Sequence, residues 1–227
     1  MLEQTRAIAI SYIRYKDTSI IARFFTESFG LQAFVVNGVR SAKSKLPLGL
    51  FQPLALSELI QYVDERKDLH RFKEIRMEKP LADLPFSPAK ASMALFVAEF
   101  LGKVLKEGLP NPALFEQTRE WILELDQARS QYENAHLQFL WKALEPLGLQ
   151  PAEYLDLIPP GTQLQATQEA DFRRFFSELD LQGRVPDDAS GGLKQWVLDV
   201  LLYYYQNHLE GMGHLQSLTV LRQVFSA

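Results

Sequence analysis

The sequence predicts an α+β protein in two parts: a small barrel of five short strands, then an all-α region. Three observations predict it. Apolar residues alternate at period 2 through about residue 77, then recur at helical spacing from residue 87 onward. Prolines at 80, 85 and 88 punctuate the change. The charge also divides: residues 1–80 carry 13 Lys+Arg against 9 Asp+Glu, whereas the remainder carries 11 against 19.

The first strand is TRAIAISYIRY, with Ile8, Ile10 and Tyr12 on one face. KDTS is a tight turn, and the β-branched and aromatic run SIIARFFTE is a second strand. LQAFVVNGV makes a third and PLALSELIQYV a fourth. After the polar turn VDERKD, LHRFKEIRM alternates as a fifth, placing Leu69, Arg71, Lys73 and Ile75 on one face and His70, Phe72 and Glu74 on the other. Five short strands with polar turns suggest a closed or partly open barrel over residues 1–80.

Residues 81–227 form the second domain, with the boundary near 79–87. Ser87-Pro88 signals a helix start, with the helix running to Gly108, and Asn111-Pro112 repeats the signal. Further helices are expected over 135–147, closed by Gly148, then 169–179, 193–208 and 214–225. Residues 149–167, rich in Pro, Gly and Gln, read as a loop. The stripes Phe96/Phe100 and Phe172/Phe175/Phe176 read as helix core.

Composition excludes several classes. At 47% hydrophobic and 23% charged the 227-residue chain is globular, with a net charge of -4. It has no cysteine, so disulfides and thiolate metal sites are excluded. The start MLEQTRAIAISYIRY lacks the pattern of a secretory signal, and no apolar window is long enough to span a bilayer. No catalytic constellation emerges. His70, His136, His208 and His214 are scattered, and neither HExxH nor G-x-S-x-G occurs. Glu116, Glu120 and Glu124, beside Arg119, read as a solvated helix face.

The segment NGVRSAKSK, residues 37–45, carries Arg40, Lys43 and Lys45 with no acid among them. It lacks the second glycine of a Walker A loop and leads into a strand, so nucleotide hydrolysis is not its role. Cations on a loop instead suit backbone phosphates, and the hydroxyls of Ser41 and Ser44 offer donors to the same oxygens. Arg14 and Lys16 lie at the first turn, Arg66 and Lys67 before the fifth strand, and Arg71 and Lys73 on it. These nine cations are the candidate DNA contacts. Among the interleaved aromatics, Phe24 and Phe34 read as barrel core, and Tyr15, at a turn, as a stacking residue.

Two stretches resemble the RecO family of bacterial DNA repair and recombination mediators. ISYIRYKDTSIIARFFTESFGLQAFVVNGVRSAKSKL, continued by GLFQPLALSEL, follows the family's order: a strand, a polar turn, a strand ending FTE..G, a basic Ser-containing loop and a QP strand. LLYYYQNHLEGMGHLQSLTVLRQVF is similar to its closing pattern, with Tyr-Tyr, His208, Gly211, Ser217-Leu218 and Leu221. The resemblance implies an N-terminal OB-fold followed by a helical domain, and a non-enzymatic task without cofactor. It implies binding of single- and double-stranded DNA, strand annealing, and loading of RecA with RecR onto strands coated by single-stranded DNA-binding protein (SSB). A cytoplasmic, nucleoid-associated location follows from the same resemblance.

The chain departs from the family where many relatives carry a four-cysteine zinc site. Here LGLQPAEYLDLIPPGTQLQATQ stands in its place, so packing must hold the 149–167 loop. Some relatives bind the acidic, Phe-terminated SSB tail in the helical domain; Arg129, Phe139 and Lys142 are the candidates for that chemistry here. Two other readings compete, an RNA-binding OB module and a protein-interaction scaffold that binds no nucleic acid.

Overall fold

The computed structural model describes residues 1–41, 44, 46–64 and 66–225. Strands β1 (Leu2–Tyr15), β2 (Ser19–Thr26), β3 (Gly30–Val36), β4 (Leu56–Tyr62), β5 (Leu69–His70) and β6 (Phe72–Met77) form one sheet in the order β5-β3-β2-β1-β4-β6. β1 is shared. From Leu2 to Ile8 it pairs with β4, and from Ala7 to Tyr15 with β2, with a register shift between Ala9 and Ser11 where it bends. The sheet curls into an OB-like half-barrel around Phe24, Phe34, Phe51 and Leu59, each fully buried, so Phe24 and Phe34 are core as expected.

The strand expected over residues 69–77 is divided in two. Leu69 and His70 pair in parallel with Ala33 and Phe34, whereas β6 pairs antiparallel with β4. One continuous segment thus supplies both ends of the sheet order. The β4–β6 register slips between Ile60, opposite Glu74, and Gln61, opposite Phe72, so Lys73 has no partner across the ladder. This bulge corrects the expected alternation. Phe72 turns to the same side as Ile75 and both pack on the barrel core, while Leu69, Arg71 and Lys73 are exposed.

The FTE..G pattern has a physical reason. The Thr26 hydroxyl donates to the Gly30 carbonyl (2.8 Å) and accepts from the Phe29 N–H (3.2 Å), closing the turn. Gly30 sits at φ +67°, and a β-carbon there would lie 2.2 Å from the Leu109 carbonyl oxygen. Only glycine admits both.

Six helices follow among the described residues: α1 (Pro88–Val104), α2 (Pro112–Gln127), α3 (Ala135–Ala143), α4 (Ala166–Gln182), α5 (Gly191–His208) and α6 (Ser217–Phe225). The Asn111 side chain accepts from the Leu114 N–H, capping α2. α1 ends before Gly108 because residues 105–110 turn back onto β3, where the Gly108 N–H donates to the Leu31 carbonyl.

The chain divides into two compact units, Met1–Ala128 with Leu215–Ala227, and Arg129–His214. The first unit therefore contains the sheet, α1, α2 and α6. Polar ties hold α2 to the sheet. The Arg6 guanidinium donates to Glu27 and to Glu116 of α2, both at 2.7 Å, and Arg119 bridges Glu116 and Glu78. Glu116 is thus drawn into a network rather than solvated, as the helix-face reading had it, whereas Glu120 and Glu124 are exposed. The Arg6 network also holds the Glu27 carboxyl below the usual carboxylate range, chiefly through the Arg6 hydrogen bond. Lys90, only 1% exposed, donates to Asp83 and to the carbonyls of Asp126 and Ala128, so its buried charge is fully engaged.

In the second unit the 149–167 loop is held by aromatic packing. Its short 3-10 turn, Tyr154–Leu157, stacks Tyr154 on Phe176 at 5.7 Å and sets it edge-on to Trp141 at 6.0 Å. Asp180 joins the group, accepting from the Trp141 Nε1–H (2.6 Å) and the Tyr154 hydroxyl (2.7 Å). Phe172, Phe175 and Phe176 are fully buried, as expected. The Tyr-Tyr of the closing pattern also has a role, since the buried Tyr205 hydroxyl donates to the Leu140 carbonyl and ties α5 to α3.

Candidate nucleic-acid interface

The cations of the barrel fall into two groups that the sequence does not separate. Arg14, Lys16, Arg40, Arg71 and Lys73 are exposed and make no ion pair among the described residues. Arg66 and Lys67 both pair with Asp64, at 3.2 and 2.8 Å. Hydrogen bonds from Lys67, then Arg66, hold the Asp64 carboxyl below the usual range, so much of that loop's positive charge is already answered. Spacing does not separate them, since Asp64 lies two and three residues from these cations and Asp17 lies three and one from Arg14 and Lys16. Lys43 and Lys45 lie outside the described residues.

Arg14, Lys16 and Arg40 converge at one end of the barrel. Arg14 faces Ile20 across the ladder, and Ile20 faces Val36, the last residue of β3. Beyond it Val39 is anchored in the core, which brings Arg40 back to the β1–β2 turn. There the Arg40 N–H donates to the Thr18 carbonyl (3.0 Å), and its Nη1 to the Asp17 carbonyl (3.3 Å). Lys16 occupies the turn at φ +52°, with its ammonium 5.2 Å from the centre of the Tyr15 ring. Tyr12 and Tyr15 are exposed beside these charges. This end therefore offers cations together with exposed aromatic rings.

The serines act differently from expectation. The Ser41 hydroxyl donates to the Gly38 carbonyl (2.8 Å), and that of Ser44 to the Leu46 carbonyl (3.1 Å). Both hydroxyl protons shape the loop's own turns and leave anion contact to the cations.

Arg71 and Lys73 flank Phe72, whose ring lies 5.9 Å from that of Phe34. The parallel register carries Arg71 one step beyond the Phe34–His70 pair, along the direction in which β3 runs to Val36. In the second unit, Arg129 and Lys142 are exposed, but Phe139 is 1% exposed and belongs to the core, with no surface to present to a ligand. Among the described residues no group of three or more His, Asp or Glu side chains is placed to hold a metal ion, and no helix is long and apolar enough to cross a membrane.

A curled six-stranded half-barrel with cationic turns at one end belongs to the class of folds that hold oligonucleotides and oligosaccharides across loops and one face. Comparison with known proteins narrows the class. Residues 1–81 match the family model "Recombination protein O N terminal", and residues 85–154 match "Recombination protein O C terminal". The chain is 31% identical to the "DNA repair protein RecO" of Bacteroides fragilis over 99% of its own length and all of the relative's. It is 30% identical to that of Phocaeicola vulgatus over all of both chains, and 30% identical to that of Flavobacterium psychrophilum over 98% of its length and 99% of the relative's. This chain belongs to the RecO family, and its place is in DNA repair and recombination.

Proposed function

We propose that the chain binds DNA through its barrel, residues 1–80, mainly by contacts to backbone phosphates, and acts by binding rather than by catalysis. The observation that carries this reading is the convergence of Arg14, Lys16 and Arg40, exposed and without ion pairs among the described residues, at one end of an OB-like half-barrel. Charge of this kind attracts any nucleic-acid backbone by counterion release without selecting a sequence. Lys43 and Lys45 continue the same loop and extend the proposed contact. Arg71 and Lys73 form a second contact, and Arg66 and Lys67 contribute less because Asp64 opposes them. Tyr15, exposed beside Lys16, stacks on an unpaired base.

Two strands neutralised on one cationic surface repel each other less, which favours annealing. In keeping with its family, the protein then works with RecR to load RecA onto SSB-coated strands. Residues 81–227, with 19 acidic against 11 basic residues, serve protein partners rather than DNA. Exposed Arg129 and Lys142 are the cations there for the terminal carboxylate of an SSB tail. Annealing of complementary oligonucleotides in the presence of SSB, with the barrel cations intact and replaced, tests the reading. The intact protein accelerates annealing and the substituted protein does not; equal rates would remove the barrel from the account.

A further inference from the structure

We propose that the outer edge of β1, over residues 11–15, accepts an extended acidic and apolar segment of a partner protein as an added strand. β4 pairs with β1 only to Ile8, and the Ala9 N–H and carbonyl are taken by Ala55 and Leu54. Beyond the bulge, residues 11–15 pair with β2 on one side, and among the described residues no strand covers the other. The open edge is five residues long, about 17 Å. Edge strands are normally blunted by charge, proline or cover. β6 follows that rule, with Lys73, Glu74 and Arg76 along it. The open stretch of β1 does not: it presents Tyr12, Ile13 (63% exposed) and Tyr15, with Arg14 its only charge.

A trough of about 610 Å³ opens at the start of this edge, where Ser11 and Tyr12 line it together with Pro53, Leu95, Ala98 and Val220. Leu95 of α1 and Val220 of α6 are exposed within it. Gly102 lets α1 approach β1 closely, since a β-carbon there would come within 3.1 Å of Ile10. Lys103 lines the trough as well, with Arg23, whose guanidinium also lies 3.4 Å from Glu107, and Arg14 stands on the strand. The single carboxylate in the lining, Glu99, is engaged by the N–H groups of Gln216 and Ser217 and by the Ser217 hydroxyl. The site is therefore apolar in its floor and cationic at its margin. It complements an extended segment that alternates apolar residues with carboxylates. A second copy paired antiparallel about Ile13 would set Arg14 opposite Tyr12 and would bring no carboxylate along residues 11–15 to meet the cations, so it is the poorer fit.

A fluorescein-labelled nonapeptide of alternating Val and Asp tests the site. It is compared with a peptide carrying Lys for Asp, and with two versions N-methylated at either set of alternate amides. Binding of the acidic peptide should slow hydrogen exchange at residues 11–15. N-methylation of one set should abolish binding and of the other should not, because only alternate amides face the added strand. Leu95→Glu, at an exposed position, should weaken binding about tenfold and leave DNA affinity unchanged. Equal binding of the Lys peptide, indifference to both methylations or an unaffected Leu95→Glu protein would overturn the proposal, as would protection at residues 11–15 that rises with protein concentration alone. Because Leu95 lies outside the DNA contacts, failure here leaves the DNA reading standing, and loss of DNA binding does not decide this one.

Discussion

Arg40 leans on the turn that carries Asp17, with its guanidinium donating to the Asp17 carbonyl at 3.3 Å and its backbone N–H donating to Thr18 at 3.0 Å. Two connections far apart in sequence are joined there into one cationic end. A side chain so placed is partly ordered before any ligand arrives, which lowers the entropy lost on contact with a phosphate.

The division of the cations predicts unequal substitutions. Arg14→Ala or Arg40→Ala should each weaken binding of a single-stranded oligonucleotide about fivefold at 0.1 M salt, the loss of one phosphate contact. Lys67→Ala should have a smaller effect, because Asp64 already answers that charge. Asp64→Asn should tighten binding by releasing both neighbours. Fluorescence anisotropy at fixed salt checks all four, and equal losses at Arg14 and Lys67 would contradict the division.

The network that ties α2 to the sheet predicts a stability effect. Arg119→Met removes the partner of Glu78, whose side chain is 13% exposed, and should cost roughly 1–3 kcal/mol of unfolding free energy. Adding Glu78→Gln should recover part of that loss, since the remaining group no longer carries a buried, unanswered charge. Urea unfolding of the single and double variants measures the difference.

His136 predicts a pH dependence. Burial pushes its imidazole down to about 4, from an ordinary value of 6.5. Between those values the unfolded chain binds the proton and the folded chain does not, so stability rises with pH across that window. The contribution is complete above about pH 6.5 and is lost as pH falls toward 4, on the order of 3 kcal/mol in all. His70, also lowered by burial, adds in the same direction. Unfolding followed from pH 7.5 to 5 should therefore flatten in His136→Gln relative to the parent, whatever the variant's absolute stability.

Asp180 predicts a local effect. Its two oxygens receive Trp141 and Tyr154, so Asp180→Ala should loosen the 149–167 loop and change the tryptophan emission. The Asp180 hydrogen bond, with burial, also pushes the Tyr154 phenol up to about 12; the variant should bring its ionisation back toward 10 in a spectroscopic titration. Limited proteolysis within 149–167 should quicken. An unchanged cleavage rate would mean that ring packing alone holds the loop.

Much of the architecture was legible in the sequence because hydrophobic period and cap residues are local signals. Asn111-Pro112 marked the start of α2, and the alternation in β1 to β4 placed Phe24 and Phe34 inside. Neither the division at Arg71 nor the bulge at Lys73 was legible, because both depend on the partner strands and not on the segment's own alternation. Nor was the Arg6–Glu116 contact, which joins residues 110 positions apart. At the candidate interface the residue types were readable but their pairing was not. Arg66 and Arg14 look alike until Asp64 is seen beside one of them. Phe139 was a candidate for the SSB-tail chemistry, yet it turns into the core of its unit.

The central claim is that the barrel holds a DNA backbone through Arg14, Lys16 and Arg40. The most direct test is the salt dependence of single-stranded DNA binding, measured for the parent and for the Arg14→Ala/Lys16→Ala/Arg40→Ala protein. The slope of log K against log salt should become shallower by about 2 in the triple variant, roughly 0.7 for each lost phosphate contact. A slope unchanged within error would place the DNA elsewhere on the molecule.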